Sequence, residues 1–581
     1  MELVAPHGGF LKEMLANEKK VEGLREEALA LPSWDLTPYQ AWDIELLLNG
    51  AFSPLDGFLT KKEYDSVCER MRLQDGTLWP MPITLDVSES LAESLSEGDR
   101  IALRHPEGMM LAVLTVRSAW RVECEREAQT VFGTTDDAHP AVFHLFHHTH
   151  SVYLGGPIEG ISLPPHYMFK HLYHTPTELR AQFITRGWSR IVAFQPRSPM
   201  HRADVELTKQ GMEKVKANLL INPTVGMTKP GDIDYFARVR CYHAVLKHYP
   251  AKTAMLSLLP LTMRLGGPRE AIWHAIIRKN YGCSHFIAER DHAALGNDRN
   301  GKPFYDPDAA QKIVKDHEME LGVSILGLEE MVYVKDQARY VPRSKVPQNA
   351  RILSISGTEL QRRLHEGLGI PEWFSYPEVI AELRHWYPPR LSQGFTIFLT
   401  GLPGSGKSTI ANALLAKLMD VTSRPVTLLD GDWVRKNLSS DLGFSREHRD
   451  LNIRRIGLLA GEITKHHGIT ICALIAPYRD MRREVRDLIG QYGCFVEIYV
   501  STPLEVCEQR DHKGLYAKAR AGLIREFTGI SDPYEAPENA EIVIDTSKIS
   551  ADEAAERVIM HLGREGLVNS ERPARYWHLP E

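Results

Sequence analysis

The sequence has few cysteines, no long apolar run and no large excess of either charge. Seven cysteines are spread over 581 residues without a CxxC pair, which favours reduced thiols over disulfides or a zinc site. No apolar run reaches the ~18 residues that a membrane span needs, and the N-terminal segment does not read as a signal peptide. Lys+Arg is 69 against Asp+Glu 75, so no global basic field predicts nucleic acid or a membrane as partner. We therefore expect a soluble, cytoplasmic protein.

The sequence does contain enough length for several hydrophobic cores. At roughly 150 residues per domain, 581 residues predict about four domains. The clearest boundary is YPPRLSQG at 387–394, where prolines, a serine and a glycine separate a helical stretch from a β-rich run. Beyond it, predicted strands alternate with predicted helices: strands at 395–400, 425–430, 469–476 and 494–500, helices at 407–419, 452–467 and 480–490. This alternation is typical of a parallel sheet with right-handed crossovers.

The first 388 residues are less regular. Short β-like runs between residues 80 and 150 indicate a β-rich subdomain. Residues 180–330 return to αβ alternation, with RIVAFQP as a strand and helix-like segments at 234–248 and 267–280.

The strongest motif is GLPGSGKST at residues 401–409. It matches GxxxxGK[ST], follows a predicted strand and opens a predicted helix, which distinguishes a phosphate-binding loop from a chance glycine-rich turn. Lys407 is expected to reach the β- and γ-phosphates of ATP, and Ser408 to ligate Mg²⁺. The ATP-binding residues predicted from this motif are Gly401, Gly404, Ser405, Gly406, Lys407, Ser408 and Thr409.

Two carboxylates, Asp430 and Asp432, follow the next predicted strand. The C-terminal end of a parallel strand beside a phosphate loop is where ligands bind in such sheets. One carboxylate could serve Mg²⁺ and the other could accept a proton from an attacking hydroxyl. On spacing alone, an Asp-Gly turn without chemistry stays open as the alternative.

The residues around these carboxylates resemble a known family. The runs DGDWVRKNLSSDLGFSREHRDLNIRRIG, IAPYRDMRR, RDHKGLYAKARAG and FTGISDPYEAPENAE are similar to adenylyl-sulfate (APS) kinase over 392–581. The resemblance implies phosphoryl transfer from Mg-ATP to the 3′-hydroxyl of APS, giving PAPS and ADP in sulfate assimilation. It implies that Asp432 is the base, which leaves Asp430 as a possible Mg²⁺ ligand, and that Arg510 lies against the ATP adenine. It also implies an APS site formed by Arg435, Phe444, Arg449, Asn452, Lys518 and Phe527.

Segment 510–520 is locally basic. Its four cationic side chains, Arg510, Lys513, Lys518 and Arg520, face one acid, Asp511. Such a strip suits a lid over two anionic nucleotides. A solvated helix face is the usual explanation of a charge run, but the flanking kinase motifs favour the lid.

One position departs from the kinase pattern. Many family members have I-S-P-Y-R where this chain has IAPYR, so Ala476 replaces a serine associated with a phosphoserine intermediate. Because in-line transfer needs positioning and charge stabilisation rather than a covalent relay, we expect an active kinase without a phosphoenzyme at this position.

The first 388 residues resemble ATP sulfurylase (sulfate adenylyltransferase). The likeness lies in GAFSPLDGF (50–58), GGPIEGISLP (155–164), TKPGDIDYFARVRCY (228–242), GPREAIWHAIIRKNYGCSHF (267–286) and ISGTELQRRL (355–364). That family joins ATP and sulfate to give APS and pyrophosphate, and so supplies the substrate of the kinase.

The motifs that carry adenylyl transfer in that family are altered here. The pattern Q-x-R-N-P-x-H-x-x-H keeps Gln195, Arg197 and His201 but has Ser198 for the asparagine and Asp204 for the second histidine. The loop G-R-D-H-A-G keeps Arg290 and His292 but has Glu289 and Ala294 for its glycines. We expect the two new carboxylates to repel a triphosphate, and the lost glycines to restrict the backbone.

Three interpretations of this region stay open. In the first, the domain has lost adenylyl transfer and persists as a scaffold. In the second, the protein is a fully bifunctional enzyme with an active sulfurylase, in which Asp204 recruits Mg²⁺ or the site has repacked. In the third, the domain has been rebuilt to sense a nucleotide or another anion.

Together the resemblances imply an α/β multidomain protein. The expected parts are a β-rich, PUA-like subdomain (1–165), a Rossmann-like nucleotidyltransferase core (166–330), a small helical cap (331–388) and a P-loop kinase with a parallel sheet (389–581). The expected partners are the small molecules ATP and APS, without nucleic acid or membrane. Both families form homo-oligomers, so self-association is expected as well.

Overall fold

The computed structural model describes residues 2–226, 233–290, 292–293, 296–299, 301–443, 445–511 and 513–569. The chain divides into two compact units. One comprises Met1–Ser356 and Ile370–Trp386, and the other comprises Gly357–Gly369 and Tyr387–Glu581. In the part of the chain that is described, no helix combines the length and apolar character needed to cross a bilayer.

The first unit begins with a β-rich subdomain. Its strands are β1 (Ser33–Asp35), β2 (Gly57–Phe58), β3 (Leu85–Val87), β4 (Arg100–Arg104), β5 (Met110–Thr115), β6 (Ser118–Arg121) and β7 (Val152–Gly160). Its helices are α1 (Glu18–Ala30), α2 (Pro38–Leu48), α3 (Lys61–Arg70), α4 (Glu89–Glu93), α5 (Cys124–Glu127), continued by a π-turn at Ala128–Phe132, and α6 (Pro140–His147). The strands form one sheet of order β1-β4-β5-β7-β2, with β3 and β6 paired to β7.

An αβ core follows in the same unit. Its strands are β8 (Ile191–Phe194), β9 (Asn218–Ile221), β10 (Ala254–Leu256), β11 (His285–Ile287) and β12 (Ser324–Leu326). Its helices are α7 (Pro176–Thr185), α8 (Arg202–Val215), α9 (Tyr235–Val245), α10 (Gly267–Asn280), α11 (Ala309–Asp316) and α12 (Glu318–Leu321). The sheet order is β10-β9-β8-β11-β12 and every pairing is parallel. The central strand β8 is fully buried, as parallel strands covered on both faces are.

The region expected to be a helical cap also contains a sheet. Strands β13 (Met331–Val334), β14 (Arg339–Pro342) and β15 (Ile352–Leu353) pair antiparallel in the order β14-β13-β15. Alternate residues Val332 and Val334 are buried with Val341, which is the period-two pattern of a half-buried strand. Helices α13 (Gly357–His365) and α14 (Pro377–Trp386) follow, and they belong to different units.

The second unit is built on a five-stranded parallel sheet. Its strands are β16 (Phe395–Gly401), β17 (Val426–Asp430), β18 (Ile469–Ala473), β19 (Cys494–Val500) and β20 (Ile542–Ile544). Its further helices are α15 (Lys407–Val421), α16 (Gly431–Asn437), α17 (Arg446–Lys465), α18 (Arg479–Gly490), α19 (Leu504–Gln509), α20 (Leu515–Arg520) and α21 (Ala551–Arg564). The order β17-β18-β16-β19-β20 places the carboxyl ends of β16 and β17 on either side of that of β18.

Helix α17 begins six residues before the predicted helix. The Ser445 hydroxyl accepts a hydrogen bond from the backbone N–H of His448 and caps the new first turn. Because of this extension, Arg449 and Asn452 lie about one turn apart on the buried face of one helix. The start of the helix therefore decides whether these two side chains can act on one ligand.

Candidate active sites

The phosphate-binding loop joins β16 to α15. Gly404 and Gly406 adopt positive φ angles of +73° and +100°. A Cβ at Gly401 would lie 2.5 Å from the carbonyl oxygen of Val500. Because only glycine meets both conditions without strain, the loop can turn tightly and direct backbone N–H groups at a phosphate before the helix begins.

Lys407 lies in the first turn of α15 and is 8% exposed. Its Nζ donates to the carbonyl oxygens of Gly401 at 2.9 Å and Leu402 at 2.7 Å. Burial lowers the pKa of the ammonium to about 8. The cation is therefore fixed inside the loop by neutral carbonyl groups, an arrangement from which it can turn to phosphate oxygens.

Asp430 joins the loop to the end of β17. Its Oδ2 accepts a hydrogen bond of 2.6 Å from the Ser408 hydroxyl, and its Oδ1 accepts one of 3.0 Å from the backbone N–H of Asp432. Asp430 is thus the N-cap of α16, so the Asp-Gly pair opens a helix rather than a simple turn. The Ser408 hydroxyl and this carboxylate form an oxygen donor set of the kind Mg²⁺ prefers, so the residues fit the expected ion.

Asp432 lies in the first turn of α16 with its carboxylate largely exposed. Its Oδ2 forms an ion pair with Nζ of Lys513, which belongs to the basic strip. The predicted base and the predicted lid are therefore in direct contact.

Two of the residues implied for APS, Arg449 and Asn452, lie on the buried face of α17. Arg449 is 8% exposed and Asn452 is 4% exposed. Among the described residues, Nε and Nη2 of Arg449 and Oδ1 of Asn452 are buried and have no hydrogen-bond partner. The Arg435 guanidinium donates to the carbonyl of Gly443, and burial together with the positive charge of Arg449 lowers its pKa. Two cations and three open polar atoms form a site suited to an anionic nucleotide, while Phe444 lies outside the described residues.

The remaining implied residues lie in the segments after β19. The Arg510 guanidinium donates to the hydroxyl oxygen of Thr546 at 2.6 Å and to its carbonyl oxygen at 3.0 Å. Lys518 is exposed on α20. The Phe527 ring packs edge-on against Tyr516 at 5.0 Å. Each of these three residues thus keeps its place in the second unit, with its role still a prediction.

The sulfurylase-like motif runs from β8 into α8. Gln195 is buried, and its Oε1 accepts a hydrogen bond of 2.7 Å from the buried Arg278. Nδ1 of His201 lies 2.8 Å from the Ser375 hydroxyl, and burial lowers the pKa of this imidazole to about 4. The backbone carbonyl of Ser198 accepts a hydrogen bond from the Tyr242 hydroxyl. Each of these residues thus has its own partner within the first unit, and His201 is neutral at pH 7.

Asp204 has a structural partner that the sequence argument missed. Its Oδ2 accepts a hydrogen bond of 2.7 Å from the backbone N–H of His201, as the third residue of α8 in a capping arrangement. Burial raises its pKa to about 6. The carboxylate is thus bound to a helix N-terminus, so the expectation that its full charge faces a triphosphate needs correction.

The second altered loop places a carboxylate against the retained arginine. Oε2 of Glu289 lies 3.9 Å from Nε of Arg197. Glu289 is not among the residues of positive φ in the described part of the chain, so the lost glycine causes no backbone strain there. Its effect is on charge, while Ala294 lies outside the described residues.

The other two retained residues of this loop have partners of their own. Arg290 is exposed and forms a two-point ion pair with Asp308 at 2.5 and 3.0 Å. Nε2 of His292 is buried 2.8 Å from Nδ1 of His274, whose other ring nitrogen lies 3.2 Å from the Glu270 carboxylate. Burial holds the pKa values of both imidazoles well below the ordinary value.

Comparison with known proteins decides the family. Three family sequence models match successive parts of the chain: PUA-like domain over 4–163, ATP-sulfurylase over 170–386 and Adenylylsulphate kinase over 393–545. The sulfate adenylyltransferase of Aspergillus oryzae is 50% identical over 566 residues, covering 97% of this chain and 99% of that protein. The chain belongs to the sulfate adenylyltransferase family. The sulfate adenylyltransferase of Phaeosphaeria nodorum is 49% identical with the same coverage of both chains.

A solved structure resembles this sulfate adenylyltransferase family member over its whole length. It is described as the hexameric APS kinase from Thiobacillus denitrificans. It is 41% identical, covers 98% of this chain and 100% of its own, and has a TM-score of 0.80. The predicted fusion of a PUA-like subdomain, a sulfurylase core and a P-loop kinase is thereby confirmed.

Sequence reasoning on this family member missed several partners of the site residues. Asp532 and Thr528 contact Arg449 at 2.8 Å, Lys513 pairs with Asp432, and Arg278 holds Gln195. Asp532 and Thr528 lie within the quoted run FTGISDPYE, so the motif marked the segment without revealing its partner. The local spacing of residues in a motif cannot predict a contact between residues about 80 positions apart in the sequence.

Proposed function

We propose that the second unit phosphorylates the 3′-hydroxyl of APS with Mg-ATP, giving PAPS and ADP, and that the sulfurylase-like unit is impaired in adenylyl transfer. The observation that supports the kinase assignment is the placement of Lys407, the Ser408–Asp430 pair and Asp432 at the carboxyl ends of β16 and β17, which lie on either side of β18 in the parallel sheet. Arg449 and Asn452, whose buried polar atoms have no partner among the described residues, offer the acceptor site in the same unit.

We assign a separate task to each of these residues. Backbone N–H groups of the loop and the Lys407 ammonium bind the β- and γ-phosphates of ATP. Ser408 and Asp430 would hold Mg²⁺, which when bound offsets charge on the phosphate oxygens. Asp432 takes the proton from the 3′-hydroxyl of the acceptor once its carboxylate is released from Lys513. Arg435 and Arg449 bind the anionic end of the acceptor.

Ala476 makes a covalent relay at its position chemically impossible. The residue is 2% exposed, has a φ of +42° and carries no hydroxyl. Incubation with γ-labelled ATP and APS is therefore expected to move label to PAPS without stoichiometric phosphate on the protein. Label retained on the protein at a level equal to its concentration during turnover would contradict direct transfer.

The observation that supports an impaired sulfurylase is the Arg197–Glu289 pair. Arg197 is a cation retained from the family motif, and a carboxylate now lies 3.9 Å from it. Opposite charges about 4 Å apart at an effective dielectric of about 20 attract by about 4 kcal/mol, which an incoming anion must replace. Arg290 is paired with Asp308, and His292 with the buried His274. The cations and imidazoles of the motif are thus engaged within the protein.

Full bifunctionality is the second candidate function. It is favoured by the curated relatives, which are named sulfate adenylyltransferases and share 49–50% identity over 97% of the chain. The two candidate functions differ in the expected rate of adenylyl transfer. Pyrophosphate release from ATP and sulfate, measured with a coupling pyrophosphatase, is fast in the bifunctional case and slow in the impaired one.

A further inference from the structure

The acceptor arginine is held by an acid that no sequence motif assigned. We infer that Asp532, supported by Tyr478 and Thr528, positions Arg449 for the anionic end of the acceptor nucleotide; this inference rests on the proposed kinase function. Asp532 is a positioning residue, since it acts through Arg449 and not on the reacting atoms.

Asp532 contacts one edge of the Arg449 guanidinium. Its Oδ2 lies 2.8 Å from Nη1 of Arg449 and accepts a hydrogen bond of 2.8 Å from the Tyr478 hydroxyl. The same Nη1 donates to the Thr528 hydroxyl at 2.8 Å. Tyr478 is 4% exposed, and burial together with the Asp532 hydrogen bond raises the pKa of its hydroxyl to about 12. The phenol therefore remains a proton donor to Asp532 at neutral pH.

The contact with Asp532 leaves the other edge of the Arg449 guanidinium open. Within the part of the chain that the structure describes, Nε and Nη2 of Arg449 are buried and have no hydrogen-bond partner. The same holds for Oδ1 of Asn452, about one helical turn further along α17. Nε and one Nη are the two donors with which arginine binds phosphate or sulfate at two points. A buried donor without a partner costs about 1–3 kcal/mol, which a ligand that binds there would recover.

Asp532 also offsets repulsion between two cations. Arg435 and Arg449 are close enough for the charge of Arg449 to lower the pKa of Arg435. Arg446 adds a third positive charge, 4.4 Å from the Tyr478 ring. Asp532 supplies a carboxylate in direct contact with Arg449, at the edge turned away from the open donors. Without it, we expect the guanidinium to turn away from its neighbours and lose its open edge.

The same residue closes the turn that carries Phe527. The backbone N–H groups of Ile530, Ser531 and Asp532 donate to the carbonyl of Phe527, each at 3.1 Å, and the Phe527 N–H donates to the Ser531 hydroxyl. The Arg449–Asp532 ion pair thus connects the open donors of Arg449 to the turn that carries Phe527, which the kinase resemblance also places in the APS site.

Asp532→Asn tests the inference in the full-length protein. The change keeps the side-chain shape and removes the charge. We expect the KM for APS to rise about tenfold or more, because a charge-assisted hydrogen bond contributes more than a neutral one, with kcat and the KM for ATP within about twofold. Asp532→Glu should recover part of the loss. The matched control is Glu538→Gln, which removes the carboxylate of an exposed ion pair with Arg479 and should leave all three constants unchanged.

Thermal unfolding separates positioning from misfolding. If Asp532→Asn does not fold, Tyr478→Phe removes only the supporting hydroxyl, and we expect about a threefold rise in the KM for APS. An unchanged KM for APS in the folded variant, or an equal rise in the KM for ATP, would overturn the inference. Failure of the unsubstituted protein to phosphorylate APS would instead overturn the proposed function.

Discussion

Replacing Lys407 by alanine is expected to lower kcat/KM for PAPS formation by about 10³-fold while the protein stays folded. The Lys407 ammonium is hydrogen-bonded to carbonyl groups of the phosphate-binding loop, so it lies where the phosphates are expected to bind. Its loss removes charge stabilisation from the transferring phosphoryl group. The fold should tolerate the change because the hydrogen-bond partners of Lys407 among the described residues are neutral, and its burial already disfavours the charged form.

Lys417→Ala is the matched control for this prediction. Lys417 lies on the same helix, but its Nζ pairs with Asp552 at 3.1 Å and Glu556 at 2.9 Å, both exposed carboxylates. Surface pairs of this kind contribute little to stability, so activity should change less than about twofold. The measurement is the initial rate of PAPS formation from ATP and APS, with thermal unfolding of both variants. Lys407→Ala activity within tenfold of the parent would contradict the assigned role.

Reversal of three substitutions is expected to raise adenylyl transfer by about 10³-fold. The variant combines Glu289→Gly, Asp204→His and Ser198→Asn, and the readout is pyrophosphate release from ATP and sulfate. We expect Glu289→Gly to supply the largest part of this gain in rate, since it frees Arg197 from a carboxylate. The attraction between the two charges, about 4 kcal/mol, corresponds to about three powers of ten in rate.

Single variants identify the cause of that gain. Glu289→Gln removes only the charge, so it should reproduce most of the effect of Glu289→Gly, because the backbone at this position is unstrained. Glu330→Gly breaks an exposed pair with Arg343 elsewhere in the unit and should change nothing. A triple variant that is as slow as the parent would show that the loss lies outside these two motifs.

Asp204→His alone is expected to contribute less than the sequence suggested. The carboxylate already has a backbone N–H partner at the start of α8, so its charge is partly satisfied. The substitution therefore exchanges a helix-capping group for an imidazole.

The parts of the fold that the sequence predicted are those whose signals are local. The phosphate-binding loop needs a strand, glycines and a helix in direct succession, and the structure has all three at residues 395–421. The start of α17 was missed because its signal is a single capping serine, Ser445, ahead of a charged first turn. The cap sheet was missed because its strands are two to four residues long.

The candidate sites show the same division. Lys407, Ser408 and Asp430 were predictable because loop chemistry leaves few alternatives at those spacings. The pairs Asp432–Lys513, Arg449–Asp532 and Arg197–Glu289 join distant parts of the chain, so only the fold brings them together. The expectation that Asp204 repels a triphosphate did not foresee its capping role. An acid three residues after an N-cap is consistent both with a new charge in the site and with a capping group.

We propose that the protein joins an active APS kinase to an impaired sulfurylase. The decisive experiment supplies one preparation of the full-length protein in parallel with ATP plus APS and with ATP plus sulfate. We expect rapid formation of PAPS from ATP and APS, and pyrophosphate release from ATP and sulfate that is slower by about 10³-fold. Pyrophosphate release at a rate comparable to PAPS formation would contradict the claim, and no PAPS from APS would contradict the kinase assignment itself.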